Sequence, residues 1–275
     1  MPELPEVETT RRGIDAIATG HTLTNMVIHE SRMRWPITPE LPVYLRGQVL
    51  RACARRGKYL LLEFDPGTVL VHLGMSGSLR SVLQGELLRR HDHVEWHFDN
   101  TTLRLHDPRR FGSVLWHPRE QGPVALHPLL HKLGIEPFDP AFDAHWLHDG
   151  LKGRSMAIKQ ALLAGDIVVG AGNIYASESL FRARIHPKTR SSRVSLQRCA
   201  RLVQAIRATL NDALDSGGST LRDYVNATGE PGAYFTLHAA VYERSGEPCR
   251  ACGTLIKRFV QGQRATYFCP SCQKI

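Results

Sequence analysis

The chain has 275 residues, and Lys and Arg outnumber Asp and Glu by 35 to 26, which gives a net charge of +9. Apolar residues make up 42% of the chain and charged residues 22%, a globular composition that excludes general disorder. No apolar run approaches the roughly 20 residues of a membrane-spanning helix, and the first residues lack a signal peptide's basic and apolar segments. We therefore expect a soluble, cytoplasmic protein with no membrane association, and its positive charge favours a polyanionic partner such as nucleic acid.

The first predicted element is a helix at residues 4–16. Pro5 suits its first turn, and Glu6 suits the positive end of its dipole. Because Pro follows the initiator Met, aminopeptidase is expected to leave Pro2 as the N-terminal residue. An α-amino group titrates near pH ~8, so this secondary amine is a candidate nucleophile, with Glu3 as an adjacent proton shuttle. The same residues also suit a helix that merely begins here.

Short strands follow between residues 21 and 117, separated by Gly, Pro and Asp-Asn turns, and they predict a β-sandwich or barrel. The predicted strands are 22–29, 59–64, 68–72, 93–98, 102–106 and 112–116. One turn reads Asp107-Pro-Arg-Arg-Phe-Gly, and Arg and Phe on a turn are typical of proteins that wedge open a DNA duplex. An Asp–Arg ion pair that rigidifies the turn would explain the same residues. Met75, on another glycine-rich turn, is by itself more typical of core packing.

Residues 119–140 are rich in Pro and Gly and are predicted to be a linker. Helices are then predicted at 142–151, 155–163, 173–181, 195–216 and 221–225, followed by a loop at 226–238. Asn173 begins the third of these helices after a glycine-rich turn. Such a helix N-terminus suits an anion, although an ordinary helix–turn–helix would have the same sequence.

Four cysteines near the C-terminus have the spacing of a zinc ribbon: Cys249-x2-Cys252-x16-Cys269-x2-Cys272. Two close pairs suit one tetrahedral all-thiolate site, and four thiolates leave no open position for chemistry. The pattern therefore predicts one structural Zn²⁺. Cys53 and Cys199 have no such partners and are predicted to be buried thiols.

Five separated motifs, taken together, resemble the bacterial formamidopyrimidine-DNA glycosylases. They are Met1-Pro-Glu-Leu-Pro-Glu-Val-Glu-Thr, His72-Leu-Gly-Met-Ser-Gly, Asp107-Pro-Arg-Arg-Phe-Gly, Gly172-Asn-Ile-Tyr-Ala-Ser-Glu and the four-cysteine module with Gln263-Arg-Ala-Thr. The resemblance extends from residue 2 to about residue 273. It implies an α+β fold with an N-terminal helix and β-sandwich (residues 1–130), a helix-two-turns-helix domain with a lesion loop (131–238) and a zinc finger (239–275). It also implies a monomer.

The resemblance implies catalytic roles for residues near both ends of the chain. Pro2 would attack C1′ of the damaged nucleotide and form a Schiff base, and Glu3 would move protons with support from Glu6. Lys58 matches the family lysine of β-elimination and phosphate contact. Arg264 matches the arginine of δ-elimination.

DNA contacts are implied at eight further positions. Met75, Arg109 and Phe111 would fill the void left by the flipped nucleotide, and Asn173 would bind flanking phosphates. The other implied DNA contacts are His91, Arg110, Arg154 and Lys159; Arg154 stands where some relatives carry Lys.

The implied activity is removal of oxidised purines, 8-oxoguanine and formamidopyrimidines, from duplex DNA in base-excision repair, with β,δ-elimination at abasic sites. Double-stranded DNA carrying these lesions would be the partner. One alternative is the endonuclease VIII-like family, which acts on oxidised pyrimidines and typically begins Pro-Glu-Gly-Pro-Glu; Leu4 argues against it. The other alternative is a zinc-ribbon DNA-binding protein without catalytic activity, which would need neither Pro2 nor Glu3.

Overall fold

The computed structural model describes residues 2–83, 85–219 and 226–275. The chain divides into two compact units: Met1–His131 with Ser216–Tyr234, and Lys132–Asp215 with Phe235–Ile275. The division into three domains that the resemblance implies stays a prediction. In the part of the chain that is described, no helix combines the length and apolar character needed to cross a membrane.

The first unit opens with helix α1, Leu4–Ala18, which confirms the predicted helix and extends it by two residues. Glu3 caps this helix in a capping box with Glu6, so two backbone N–H groups that a helix start leaves unpaired are satisfied. Its buried face includes Val7 and Ile14, which join the core of the unit. This burial fixes the position of the residues at the helix start.

Two four-stranded antiparallel sheets form the rest of this unit and confirm the expected sandwich. Their orders are β1-β6-β7-β5 and β2-β3-β4-β8, and both contribute apolar side chains to one core. A short helix, α2, spans Leu41–Leu45. The strands are β1 Leu23–Ile28, β2 Ala52–Arg56, β3 Tyr59–Phe64, β4 Gly67–His72, β5 Ser78–Val82, β6 Asp92–Phe98, β7 Thr102–His106 and β8 Ser113–Pro118.

Two of these strands, β2 and β5, have no counterpart among the sequence predictions. Both carry arginine, which obscures the apolar alternation of a strand. Arg80 of β5 is 7% exposed and pairs with Glu86, so its charge is compensated inside the fold. Sequence patterns cannot show such a partner in advance.

Helices dominate the second unit, as predicted. They are α3 Ala144–Leu151, α4 Ile158–Ala164, α5 Asn173–Arg182 and α6 Leu196–Asp215, with a short α7 at Tyr234–Leu237 on the boundary between the two units. Helix α4 begins later than predicted because Ala157 is extended and forms a β-bridge with Arg190. The predicted helix at 221–225 lies outside the described residues.

A two-stranded hairpin, β9 Lys257–Gln261 and β10 Arg264–Phe268, ends the second unit. The cysteines flank it in the chain, so the hairpin projects from the four-cysteine cluster.

Candidate functional site

The start of helix α1 is buried and tightly bonded. Pro2 is buried, and Glu3 is 1% exposed. The Glu3 N–H donates to Glu6 Oε2 at 2.7 Å, and Glu6 Oε1 accepts the N–H and hydroxyl of Ser219 at 2.7 and 2.9 Å. The Glu6 carboxylate therefore joins the N-terminus to the second segment of the same unit.

Ser219 is a residue that the sequence analysis missed, and its signal lay in the preceding glycines. Gly218 has φ +89°, and a Cβ there would lie 3.1 Å from Glu6 Oε1. The two glycines therefore let the backbone approach the buried Glu6 carboxylate, and they also allow the preceding helix to end.

Lys58 lies in the turn between β2 and β3 and is half-buried. Arg55 fixes this turn, since its Nε donates to Glu8 Oε2 at 3.0 Å and its guanidinium also donates to the Gly57 carbonyl at 2.9 Å. Burial disfavours the charged Glu8 carboxylate, but hydrogen bonds from three arginines outweigh it and lower the pKa of Glu8. These bonds hold the turn that carries Lys58 against helix α1.

His72 lies at the end of β4, next to the turn that carries Met75. Burial, with the nearby positive charges of Lys58 and Arg34, lowers the pKa of His72 to about 4. The ring is therefore neutral at pH 7, and its Nδ1 accepts the Gly74 N–H at 3.0 Å.

Two neighbouring turns present the predicted void-filling residues. We call residues 73–77 the methionine turn and residues 107–112 the arginine turn. Met75 is 42% exposed and Phe111 44%, and the Arg109 guanidinium lies 4.9 Å from the Phe111 ring. The backbones of the turns touch, because a Cβ on Gly74 would lie 2.4 Å from the Gly112 nitrogen. The structure thus brings these sequence-predicted residues onto adjoining turns.

The other predicted contacts of the first unit lie near the arginine turn. Arg110 has φ +53° and forms an ion pair with Glu30 at 3.2 Å. His91 is half-buried with φ +77°, and its ring centroid lies 6.2 Å from that of His106. The Asp–Arg ion pair offered as an alternative is not formed by Asp107 in the described structure, where its carboxylate contacts Ser76 and Gly112.

Arg154 of the second unit forms a two-point ion pair with Asp166, with N···O distances of 3.1 and 2.9 Å. The hydrogen bonds from Arg154 lower the pKa of Asp166. A phosphate would have to compete with this carboxylate for the guanidinium.

Lys159, for which the resemblance implies a DNA contact, is buried against the hairpin. The residue is 1% exposed, and its ammonium donates to the Thr266 hydroxyl at 2.8 Å and the Ala265 carbonyl at 3.3 Å. Both acceptors belong to the hairpin strand that begins at Arg264. The geometry points to a role in holding the hairpin, and the implied DNA contact stays a prediction.

Asn173 begins helix α5, as predicted, but its side chain also faces the hairpin. Its Nδ2 donates to the Tyr242 hydroxyl at 3.1 Å and to the Ala265 carbonyl at 3.0 Å. An amide nitrogen has two N–H donors, so both are engaged inside the unit. Lys159 and Asn173 thus hold the carbonyl that directly follows Arg264.

Arg264 itself is exposed at the tip of the hairpin, where Gly262 and Gln263 make the turn with positive φ. It pairs across the hairpin with Gln261. The position suits a guanidinium that reaches for a phosphate.

Glu178 of α5 is a further residue to which the sequence analysis assigned no role. It is 4% exposed and accepts three backbone N–H groups, from Ala240, Val241 and Tyr242, at 2.9, 3.0 and 2.7 Å. Burial raises the pKa of Glu178 against the effect of these bonds. The carboxylate fixes the segment that leads into the cysteine module, and it belongs to the Gly172–Glu178 motif.

The four cysteines form a compact cluster in which all four Sγ atoms lie within 4.8 Å of one another. Cys249 and Cys272 are 4.0 Å apart, and Cys252 and Cys269 are 3.5 Å apart. Zn–S bonds of about 2.3 Å in a tetrahedron require sulfur atoms about 3.8 Å apart, so the cluster fits zinc. This confirms the predicted ligand set, and Cys53 and Cys199 are buried outside it, also as predicted.

Known protein families match successive parts of this chain. Three family models match: the formamidopyrimidine-DNA glycosylase N-terminal domain at residues 1–114, its H2TH domain at 133–225, and the zinc finger found in FPG and IleRS at 246–275. A formamidopyrimidine-DNA glycosylase of Bordetella pertussis is 72% identical over 274 residues and covers 100% of both chains.

Solved structures of Lactococcus lactis formamidopyrimidine-DNA glycosylase are similar over the whole chain. A mutant in complex with DNA containing Fapy-dG has a TM-score of 0.92 at 32% identity, covering 100% of both chains. A complex with DNA containing an abasic site has the same score and identity, covering 99% of this chain and 100% of that one. The N-terminal helix and sandwich, the helical region, the zinc finger and the full-length identity together show that this chain belongs to the formamidopyrimidine-DNA glycosylase family, the DNA glycosylases of base-excision repair.

Proposed function

We propose that the chain removes oxidised purines, 8-oxoguanine and formamidopyrimidines, from duplex DNA and then cleaves the strand at the abasic site by β,δ-elimination. The observation that carries the proposal is the arrangement of the first unit's catalytic candidates. Pro2 and Glu3 are buried at the start of one helix, Glu6 fixes that start, and the turn that carries Lys58 is tied to the same helix.

The reaction begins with a nucleotide turned out of the duplex, because a stacked base is out of reach. The extruded nucleotide leaves a gap in the duplex, and the bases on either side of the gap lose stacking energy. Met75, Arg109 and Phe111 are exposed on adjoining turns and would fill it. This is the form of wedge that apolar and arginine side chains provide in duplex-opening proteins.

Base loss and strand cleavage then follow from amine chemistry. The Pro2 nitrogen forms a bond to C1′, the glycosidic bond breaks, and the base leaves with a proton that Glu3 supplies. The Pro2 nitrogen gives up its proton, the C1′–O4′ bond breaks and the ring oxygen takes a proton, which leaves an iminium ion that acidifies the C2′ proton. Loss of that proton expels the 3′ phosphate, a second elimination expels the 5′ phosphate, and water releases the sugar remnant from Pro2.

Pro2 lies directly before the capping residue Glu3 at the N-terminal end of α1, so its nitrogen is adjacent in the chain to the proposed proton shuttle. Lys58 and the exposed Arg264 would serve the two eliminations and grip phosphates. Zinc would hold the hairpin and takes no part in bond breaking.

The test is borohydride trapping on three duplexes that carry 8-oxoguanine opposite cytosine, an oxidised pyrimidine, or no lesion. We expect a covalent adduct on the first, mapped to Pro2, after intact-mass measurement shows that Met1 has been removed. An adduct mainly on the second duplex would assign the chain to oxidised pyrimidines instead. Binding without any adduct would favour a non-catalytic DNA-binding protein.

Glu3→Gln tests the proton shuttle in the same assay. We expect excision of 8-oxoguanine to fall at least about 100-fold, as general acid–base residues contribute that much, while duplex binding persists. Glu40→Gln, at an exposed glutamate of the same unit, is the matched control. Equal excision by Glu3→Gln and the parent would remove Glu3 from the mechanism.

A further inference from the structure

The buried carboxylate of Asp107 spans the two turns that carry the wedge residues. Its Oδ2 accepts the Gly112 N–H at 2.8 Å within the arginine turn. Its Oδ1 accepts the hydroxyl of Ser76, in the methionine turn, at 3.2 Å. Asp107 is fully buried, so a single carboxylate away from solvent bonds to the residue after Met75 and to the residue after Phe111.

The backbone of Asp107 is fixed independently of its side chain. Its N–H donates to the His91 carbonyl at 3.0 Å, and its carbonyl accepts from His93 Nε2 at 2.9 Å and from the Arg110 N–H at 3.1 Å. His93 belongs to strand β6, in the middle of a sheet. The carboxylate therefore projects from a rigid point toward both turns.

The backbones of the two turns pack closely, so a small shift of either turn would change the hydrogen bonds of Asp107. A Cβ on Gly112 would lie 2.7 Å from the His72 carbonyl and 2.9 Å from Asp107 Oδ2. Gly74 has φ +63° and abuts Gly112 directly. No side chain at either glycine separates the turns, so their spacing depends on backbone contact and on the shared carboxylate.

We propose that Asp107 is a positioning residue that holds Met75 and Phe111 as two parts of one preformed wedge. The inference rests on the proposed function, in which these side chains fill the gap left by a flipped nucleotide. A wedge must resist the tendency of the bases to restack. Turns that were free to separate would have to be ordered at the moment of insertion, and binding would be weaker.

Ser76→Ala is the primary test, because it removes one of the two bonds without touching a residue proposed to meet DNA. Asp107→Ala removes both bonds. The matched control is Ser81→Ala, which deletes one side-chain hydrogen bond, to Thr101, outside the two turns. Thermal melting of each variant checks folding, and Ser76→Ala alone decides the question if Asp107→Ala does not fold.

Two measurements separate wedge positioning from a general structural effect. The first compares single-turnover excision of 8-oxoguanine opposite cytosine with excision opposite an abasic-site analogue, where no partner base has to be displaced. The second follows the fluorescence of 2-aminopurine next to the lesion, which reports unstacking on binding even without excision.

We expect Ser76→Ala to slow excision from the paired duplex about fivefold, the effect of one typical hydrogen bond, and Asp107→Ala to slow it at least about tenfold. The 2-aminopurine signal should fall in parallel, and excision from the unpaired substrate should stay at the parent rate. A parent-like Ser76→Ala on the paired duplex, or an equal loss on both substrates, would overturn the inference. If the parent unstacked the duplex without excising the base, the proposed function would fail while the fluorescence still tested Asp107.

Discussion

The chain presents guanidinium groups on two structures of opposite construction: the arginine turn of the first unit and the hairpin tip of the second. The arginine turn connects two strands of a sandwich with a large apolar core. The buried carboxylate of Asp107 and close backbone contacts hold it in place. The hairpin consists of two strands that are mostly exposed or half-buried, above a cluster of Val241, Cys249, Ile256, Tyr267 and Cys269. A core of that size cannot order a hairpin alone, so metal ligation and a few buried polar contacts must substitute for it.

The two arginine-bearing structures therefore depend on different contacts for their order. Removal of a metal should disable Arg264 and leave Arg109 in place. Removal of a hydrogen bond to the Asp107 carboxylate should disable Arg109 and leave Arg264 in place. The hairpin also depends on the polar contacts of Lys159 and Asn173, and the segment that leads to the cysteine module depends on those of Glu178.

The largest expected effect comes from the loss of zinc. Cys269→Ser, or chelation, should release the hairpin and weaken DNA binding by at least about tenfold, because Arg264 would lose its fixed position. Zinc content, limited proteolysis within 240–275 and salt-dependent affinity measure this, with Ser271→Ala as the control in the same loop. Unchanged affinity in a zinc-free Cys269→Ser protein would mean that the hairpin does not need the metal.

A smaller effect is expected from Lys159→Met, which keeps the length of the side chain and removes its ammonium. If Lys159 holds the hairpin, δ-elimination products should fall several-fold. Its effect on DNA binding should then act through Arg264, so adding Lys159→Met to Arg264→Ala should leave the salt dependence of binding unchanged. A lost phosphate contact of Lys159 itself would instead reduce the slope of log affinity against log salt by about 0.9 further. Lys152→Met, at an exposed lysine, is the control, and such a reduction with Lys159→Met but not with Lys152→Met would assign Lys159 a phosphate contact.

A third effect concerns stability rather than DNA binding, and it arises from His72, next to the methionine turn. His72 has a folded-state pKa of about 4, below the ordinary value of 6.5. Between these values the unfolded chain binds a proton that the folded chain does not, so stability should decline as pH falls from 6.5 to 4. The contribution of this one residue is at most about 1.4 kcal/mol per pH unit.

His72→Gln should flatten this dependence, because glutamine has no proton to bind in this range. Urea unfolding at several pH values between 4 and 7, followed by tryptophan fluorescence, measures the change, with His145→Gln at an exposed histidine as the control. Equal pH dependence in the parent and in His72→Gln would remove His72 as its source.

The sequence analysis succeeded where signals were local. Pro5 and Glu6 in the first turn of α1, the turns between strands, the helical periodicity of α6 and the cysteine spacing each involve residues close in the chain, and all are present in the structure. It missed β2 and β5, since the partners that compensate their arginines, Glu8 for Arg55 and Glu86 for Arg80, lie outside the two strands. The contacts of Lys159 illustrate the same limit, because its acceptors are more than 100 residues away in the chain.

Spacing along the chain encodes turns and close ligand pairs, so most of the helices and strands, the zinc ligands and the family motifs can be predicted without the fold. Which polar side chains face inward depends on how the chain folds. Asp107 bridges two turns, Glu178 binds three backbone amides, and Lys159 holds the hairpin, although each is a charged residue of a type usually found at the surface. Burial of a charge depends on hydrogen-bond partners that only the folded chain brings within reach.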